Sequence, residues 1–442
     1  MTITDAPLAE AAAALQAGER APVAYAGRLC DCIDDRDPEV RAFREECHRR
    51  ERVRAAAERV AGDHPEPAER PPLFGVPVGV KDIVHVDGFT TRAGSALPPE
   101  LFGGDDAPEA AVVERLREAG AVVLGKTVTT EFAGFAPGLT RNPHDADHTP
   151  GGSSSGSAAA VAAGMTPLAL GTQTGGSVIR PAAFCGVVGF KPSFGRIPTE
   201  GVLTRSTSVD HVGLFTQDVP GARRAAATLC DGWDPADGHQ DASGDAGWAP
   251  ALGVPDGPYL DRADPEGLAA FREQVAALVD AGYEVARTRA FEEYERVDEQ
   301  HLDLTTGEFA REHGAWFEEY EPFYRTTTAE TIREGQAVSD ERVAQARAGR
   351  ERTRERVHER MDAAGVDLWV CPAAPGPAPA SIATTGDSVM NRPWTYAGLP
   401  AVTVPAGRVD GLPVGLQCVG RFGSDERLLA GAVGVLDALA GA

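Results

Sequence analysis

Over residues 8–60 apolar positions recur at helical spacing among charged ones, ending in a densely charged stretch from Arg41 to Arg59, and this pattern predicts two or three solvent-facing scaffold helices. The texture changes after Pro72. Phe74-Gly75-Val76-Pro77-Val78-Gly79-Val80 is a β-type apolar run followed directly by Lys81-Asp82, so Lys81 is expected at the C-terminal end of a strand. Residues 112–119 read as an amphipathic helix stopped by Gly120, and 121–124 as a short buried strand leading to Lys126, together one step of an α/β sheet. A polar loop, 141–150, runs into Gly151-Gly152-Ser153-Ser154-Ser155-Gly156, after which 157–163 form a small-residue helix closed by Gly164, narrow enough for backbones to approach closely. Residues 168–170 read as another short strand, and Gly171-Thr172-Gln173-Thr174-Gly175-Gly176-Ser177 as a loop that turns into a helix.

Further along, 231–247 is acidic, glycine-rich and aperiodic, a solvated loop ahead of a strand at 251–254. Residues 266–280 and most of 329–362 are helical, and 368–371 and 401–404 are buried strands returning to the same sheet. The rest of 230–360 carries little signal, and no repeat is visible.

Composition narrows the class. The chain has 442 residues, 42% apolar and 24% charged, enough for a sizeable core. Its net charge of −24 argues against a nucleic acid partner, which would require a basic surface. No run of eighteen apolar residues predicts a membrane span, and residues 1–18 resemble neither a signal nor a transit peptide, so a cytoplasmic protein is expected. Seven cysteines without a C-x-x-C pair indicate buried thiols rather than disulfides or a metal site. Lysine occurs only at Lys81, Lys126 and Lys191, with arginine supplying the rest of the 42 basic residues. Codon bias or a salt-adapted surface accounts for the skew. In either case a surviving lysine marks a position where arginine, which cannot lose its proton, will not serve.

Ser153 follows Gly151-Gly152 and Ser177 follows Gly175-Gly176. Taken alone, each loop reads as a turn or a phosphate cradle, although no lysine completes a phosphate-loop pattern. A glycine pair leading into a helix also aims free N–H groups at one point, which suits the oxyanion of acyl transfer. The ten histidines form no motif that would supply a base, which leaves lysine. Keeping a lysine neutral at pH 7 requires about 4 kcal/mol of environmental preference, which burial after an apolar strand supplies at Lys81. Gly152-Ser153-Ser154-Ser155-Gly156 also matches a nucleophile elbow centred on Ser154, but a polar segment with Pro143 and Pro150 stands where that motif needs a strand.

Three segments, Gly79-Val80-Lys81-Asp82, Pro150-Gly151-Gly152-Ser153-Ser154-Ser155-Gly156-Ser157-Ala158-Ala159-Ala160 and Gly171-Thr172-Gln173-Thr174-Gly175-Gly176-Ser177, resemble the amidase signature family. The likeness continues through Phe184-Cys185-Gly186-Val187-Val188-Gly189-Phe190-Lys191-Pro192 and into Pro393-Trp394-Thr395 and Gly398-Leu399-Pro400-Ala401-Val402. It implies an α/β fold with a large mixed β-sheet covered by helices on both faces. It also implies a single domain over 1–442: N-terminal helices at 1–70, a core at 72–220, a variable helical region at 230–362, and C-terminal strands and a helix at 363–442. The reaction implied is hydrolysis of a small-molecule amide to acid and ammonia, without cofactor or metal. Ser177 would be the nucleophile, Ser153 the relay after a cis peptide at Gly152–Ser153, and Lys81 the base, with the N–H groups of Thr174, Gly175, Gly176 and Ser177 forming the oxyanion hole. The assembly is left open, a homodimer included.

Other residues acquire expectations from the same resemblance. Lys126 and Lys191 are expected to form structural ion pairs, and Cys185 to lie in the core. The wording Ser177-Val178-Ile179-Arg180-Pro181 moves the arginine one place from the family's commoner Ser-Ile-Arg-x-Pro, and with Gln173 and Ser155 it resembles the malonamidase branch. Three residues after Ser177 on a helix, Arg180 would share its face and either hold a substrate carboxylate or join an ion pair. Ala133 and Gly134 would leave room for the acyl group. The alternatives are the amidase component of a tRNA-dependent amidotransferase, disfavoured by the Arg180 wording and the lack of a basic face; a hydrolase of ureas such as allophanate or biuret; and an inactive amidase-like binding protein, disfavoured because Lys81, Ser153 and Ser177 are all present.

Overall fold

The computed structural model describes residues 7–237 and 248–441. Ten strands form one sheet: β1 (Pro77–Lys81), β2 (Val122–Thr127), β3 (Leu168–Gln173), β4 (Val188–Lys191), β5 (His211–Thr216), β6 (Leu252–Pro255), β7 (Val285–Thr288), β8 (Leu368–Pro372), β9 (Ala401–Val409) and β10 (Leu412–Val419). Their spatial order is β2-β1-β3-β5-β4-β9-β10-β8-β6-β7. The sheet is mixed, with parallel pairs toward each end (β1 with β2 and β3; β6 with β7 and β8) and antiparallel pairs between them. All residues of β1 to β6, β8 and β10 are buried, so both faces of the sheet are covered, and this is why these strands read as continuous apolar runs rather than alternating ones.

The covering elements are α1 (Leu8–Ala17), α2 (Pro22–Val40), α3 (Arg49–Asp63), α4 (Ala111–Glu118), α5 (Ser155–Ala162), α6 (Ile179–Cys185), α7 (Val219–Leu229), α8 (Pro265–Asp280), α9 (Tyr294–Tyr320), α10 (Thr326–Gln336), α11 (Asp340–Ala364), α12 (Arg392–Tyr396) and α13 (Asp425–Ala440), with short 3-10 turns between some of them. The three N-terminal helices fall where periodicity placed them, but they are not purely solvent-facing. α1 buries Leu8, Ala11, Ala12 and Leu15, and α2 buries Tyr25, Leu29 and Ile33. α3 covers the sheet edge: Arg52 donates to the carbonyls of Val123 and Leu124, which closes β2 to further pairing.

Two expectations need correction. Residues 171–173 are not loop, because β3 continues through Gln173, hydrogen-bonded to β5 along its length. The 27-residue α9 lies in the stretch that carried little sequence signal, and it packs on α10, α11 and α12. The expected solvated loop at 231–247 falls largely outside the described residues. No helix among the described residues is long and apolar enough to cross a membrane.

The small-residue helix behaves as its composition predicts. All eight residues of α5 are buried, and a Cβ at Gly156 would lie 2.2 Å from the Ala42 carbonyl oxygen and 2.4 Å from the Val128 nitrogen. Both neighbours are backbone and cannot swing aside. Gly156→Ala is therefore expected to destabilise the protein by about 1–3 kcal/mol or more, read as a lower urea midpoint, although alanine is the better helix former.

Candidate active site

β1 lies between β2 and β3 and runs parallel to both, so three C-terminal strand ends meet at one edge of the sheet. Crevices of this kind hold ligands in open α/β sheets. Lys81 closes β1 there, wholly buried, with Nζ hydrogen-bonded to Ser153 Oγ at 2.8 Å and to Thr172 Oγ1 at 2.7 Å. Among the described residues no carboxylate lies within ion-pair distance of Nζ. Burial pushes the Lys81 amine well below the ordinary lysine range; the field of Asp210 opposes the effect and that of Arg205 reinforces it.

Ser153 follows a cis Gly152–Ser153 peptide just before α5. Glycine is required at 152 because a Cβ would stand 2.7 Å from the Thr385 methyl. Ser154 is fully buried, with its Oγ accepting from the Thr172 N–H and donating to the Thr172 carbonyl, both at 3.2 Å. A hydroxyl tied at both ends to β3 is a structural clamp, which removes the nucleophile-elbow reading.

The loop from Thr174 to Ser177 is held from four directions. Gln173 Oε1 accepts the N–H groups of Val178 (2.8 Å) and Ile179 (3.0 Å), and its Nε2 donates to Thr395 Oγ1. Thr395 Oγ1 in turn donates to the Gly175 carbonyl, His301 Nε2 to the Thr174 carbonyl, and Thr174 Oγ1 to Asp210. Burial lowers His301 to about 4, so its ring is neutral at pH 7 and Nε2 carries the proton it donates. With the carbonyls pinned outward, the N–H groups of Gly175, Gly176 and Ser177 donate to nothing among the described residues. This is the arrangement an oxyanion needs.

Ser177 lies two residues before α6 and lines a cavity together with Ala133, Gly134, Thr174, Gly175, Gly176 and Arg180. Every residue expected at the site except Lys81 and Ser153 lines this space; Lys81 meets Thr172, which lines a neighbouring space with Ala133, Thr174 and Arg205, and Ser153 follows Gly152, whose carbonyl accepts from Arg180. The proximity is incomplete in one respect: Ser177 Oγ makes no hydrogen bond to a described residue, Ser153 included. Such contacts often tighten only when substrate binds.

Arg180 lies on the first turn of α6, which begins at Ile179; its N–H donates to the Gly176 carbonyl at 3.0 Å, an i→i−4 bond that carries the helical turn back across Ser177. Its guanidinium is buried, with Nη2 donating to the Gly152 carbonyl at 2.6 Å and to Thr385 Oγ1 at 3.3 Å. Nε and Nη1 have no partner among the described residues, and no carboxylate pairs with the group, so it forms no ion pair. Burial lowers it to about 10, still protonated at pH 7.

The other lysines divide. Lys126 pairs with Asp82 at 3.4 Å and donates to the Val84 carbonyl and Thr91 Oγ1. Lys191 makes no ion pair among the described residues, which corrects the expectation: Nζ donates to the carbonyls of Pro192 and Leu399, and burial lowers it to about 7. A compact ammonium in a carbonyl cage fits where a planar guanidinium would not. All three lysines of the chain are thus buried. Cys185 is core, its thiol pushed up by burial.

Sequence reading missed Thr172 as a partner of Lys81, the loop supports Asp210 and His301, and the cavity residues Arg205 and Arg392. Thr172 lies inside the segment from Gly171 to Ser177 and was legible in principle. Arg205, His301 and Arg392 carry no local signal, because three separate segments bring them together.

The amidase family model matches residues 27–429. The chain is 36% identical to the A subunit of the glutamyl-tRNA(Gln) amidotransferase of Symbiobacterium thermophilum, the match covering 93% of this chain and 92% of that protein. Among solved structures it is similar to a crystal structure of an amidase (32% identity, TM-score 0.85, 98% and 99% covered) and to the native peptide amidase of Stenotrophomonas maltophilia (28% identity, TM-score 0.82, 99% and 97% covered).

Proposed function

The chain belongs to the amidase family and is a hydrolase acting on amide C–N bonds; from that premise we propose that it cleaves a small amide bearing a carboxylate, through an acyl-enzyme on Ser177. The observation that carries this reading is the buried Lys81–Ser153 contact, with no carboxylate among the described residues at ion-pair distance, beside a loop whose N–H groups are unclaimed. Ser177 Oγ attacks the carbonyl carbon while its proton passes through Ser153 to neutral Lys81. The tetrahedral oxyanion is held by the N–H groups of Thr174, Gly175, Gly176 and Ser177, none of which donates to a described residue. Collapse breaks the C–N bond, and the proton returns through Ser153 to the nitrogen, releasing ammonia. Water then attacks the ester by the same relay, giving the acid and free Ser177. No step calls on a metal or cofactor.

The carboxylate preference rests on Arg180, which lines the cavity and whose buried Nε and Nη1 have no partner among the described residues, and on the likeness of residues 177–181 to the malonamidase branch. A second reading has more direct support from the curated relatives: an amidotransferase component that releases ammonia from a donor amide for a partner. Glutamine also carries a carboxylate, so Arg180 suits both. Ammonia release from malonamate, short aliphatic amides, aryl amides, biuret and glutamine by the isolated chain is the test. Turnover of malonamate by the isolated chain is the expected result. Glutaminase activity that appears only with partner proteins would replace the first reading by the second, and release from urea derivatives alone would overturn both.

A further inference from the structure

The cavity beside Ser177 has three arginines in its wall, Arg180, Arg205 and Arg392, and no acidic side chain. Arg392 is neutralised, with Nε and Nη2 on Asp298 at 2.6 and 2.9 Å and Nη1 on Asp387 at 3.0 Å. Arg205 has no such contact: the residue is only 6% exposed, its Nη1 has no partner, and no carboxylate stands within ion-pair distance among the described residues. The nearby Asp210 acts on it through space without contacting the guanidinium, its oxygens accepting from Thr174 Oγ1 and from the backbone N–H groups of Arg205 and Ser206.

The position of Arg205 is built rather than incidental. Its guanidinium carbon stands 4.5 Å from the centre of the Phe309 ring and 5.1 Å from that of Phe135, and both rings fix the plane of the fork. A Cβ at Gly134 would lie 3.1 Å from Arg205 Nη1, so glycine there leaves the fork its space. Burial lowers Arg205 to about 10, and it stays charged at neutral pH. Asp210 compensates this buried charge only through space and not by contact, so an anion that pairs with it directly lowers the cost of burying it.

Resting on the acid-bearing substrate reading above, we infer that Arg205 is a second specificity-determining residue, and that the substrate's carboxylate is recognised by the guanidiniums of Arg180 and Arg205 together. The two approach from different segments, Arg180 from the side of Gly152 and Thr385 and Arg205 from that of Gly134 and Phe135. An acid group between them meets a charged donor on each side, whereas a neutral amide accepts hydrogen bonds without bringing the compensating charge. This discrimination is stronger than one arginine provides.

The experiment measures binding of malonamate and of its uncharged analogue malonamide by calorimetry, in protein carrying Ser177→Ala so that neither is consumed, with and without Arg205→Met or Arg180→Met. Arg205→Met is expected to weaken malonamate binding about 10- to 100-fold, the range of a charge-assisted hydrogen bond, and to change malonamide binding by less than about threefold. Arg205→Lys, which keeps the charge without the fork, recovers part of the loss; it also gives the readout where methionine prevents folding. Equal weakening of both ligands would make Arg205 a structural residue and overturn the inference. Loss of the acid preference in Arg180→Met alone would overturn it while leaving the acid-bearing reading intact. Equal binding of the two ligands by the parent protein would remove both.

Discussion

Ser177→Ala is expected to lower kcat on the preferred amide by at least about 10⁴-fold, with the fold and urea midpoint unchanged. Loss of a serine nucleophile from a concerted acyl-transfer site removes nearly all that the triad contributes, leaving only binding and oxyanion stabilisation. The substitution is structurally mild because Ser177 Oγ makes no hydrogen bond to a described residue and faces a cavity, so nothing buried is left unsatisfied. Covalent labelling by a fluorophosphonate should disappear in the same variant. Labelling that persisted, or activity within tenfold of the parent, would mean a different nucleophile. Ser154 is a poor substitute, with its hydroxyl committed in both directions to the Thr172 backbone.

Lys81→Met is expected to cost about 10²- to 10⁴-fold in kcat/KM, the usual contribution of a general base, and to erase the acid limb of the pH profile. Methionine nearly matches the length of the lysine stem, so the buried volume is kept while the proton acceptor is removed. The sign of the pH effect follows from the chemistry. Protonated Lys81 has no lone pair to accept from Ser153, so kcat/KM rises as pH rises through the Lys81 pKa. Burial displaces that pKa well below the ordinary lysine value, so the limb lies on the acid side of where a surface lysine would place it. A limb near the pKa of a free amine would show that the low-dielectric pocket does not act as argued. A limb that survives Lys81→Met would assign it to another group, for which Asp210, buried beside Thr174, is the first candidate.

What sequence could reveal about the site followed from local chemistry. The apolar run 74–80 read as a strand, of which the structure makes the second half β1 (Pro77–Lys81) and leaves Phe74 and Gly75 in a turn, and a lysine closing an apolar strand is placed for burial, so Lys81 was legible before any fold was known. Paired glycines before Ser153 and Ser177 declared backbone that a side chain would obstruct, and the 2.7 Å approach of Thr385 to a Cβ at Gly152 is the contact they avoid. The scarcity of lysine pointed to Lys81, Lys126 and Lys191 as special, and all three are buried, but composition did not distinguish an ion pair at Lys126 from a carbonyl cage at Lys191.

Residues 171–173 illustrate why some of the fold was not legible. Glycine, threonine and glutamine weigh against a strand, yet β3 continues through them because β5 supplies its ladder along the whole length. Their polar side chains are tolerated in the interior because each has a partner there: Thr172 meets Lys81, and Gln173 meets the first N–H groups before α6 and Thr395. Propensity was overridden by context, as it commonly is in a central strand.

By itself, then, the sequence determined that a strand-end lysine and two glycine-framed serines would be available for acyl-transfer chemistry, since each is dictated by its immediate neighbours. Only the tertiary structure decided what surrounds them. His301 from α9 and Thr395 from α12 pin the Ser177 loop from 127 and 220 residues away, and Arg205 and Arg392 complete a wall that holds three cations and no acid. Charge compensation is a property of space rather than of spacing: whether a guanidinium finds a carboxylate depends on which segments the sheet order brings to one crevice, and no local pattern encodes that.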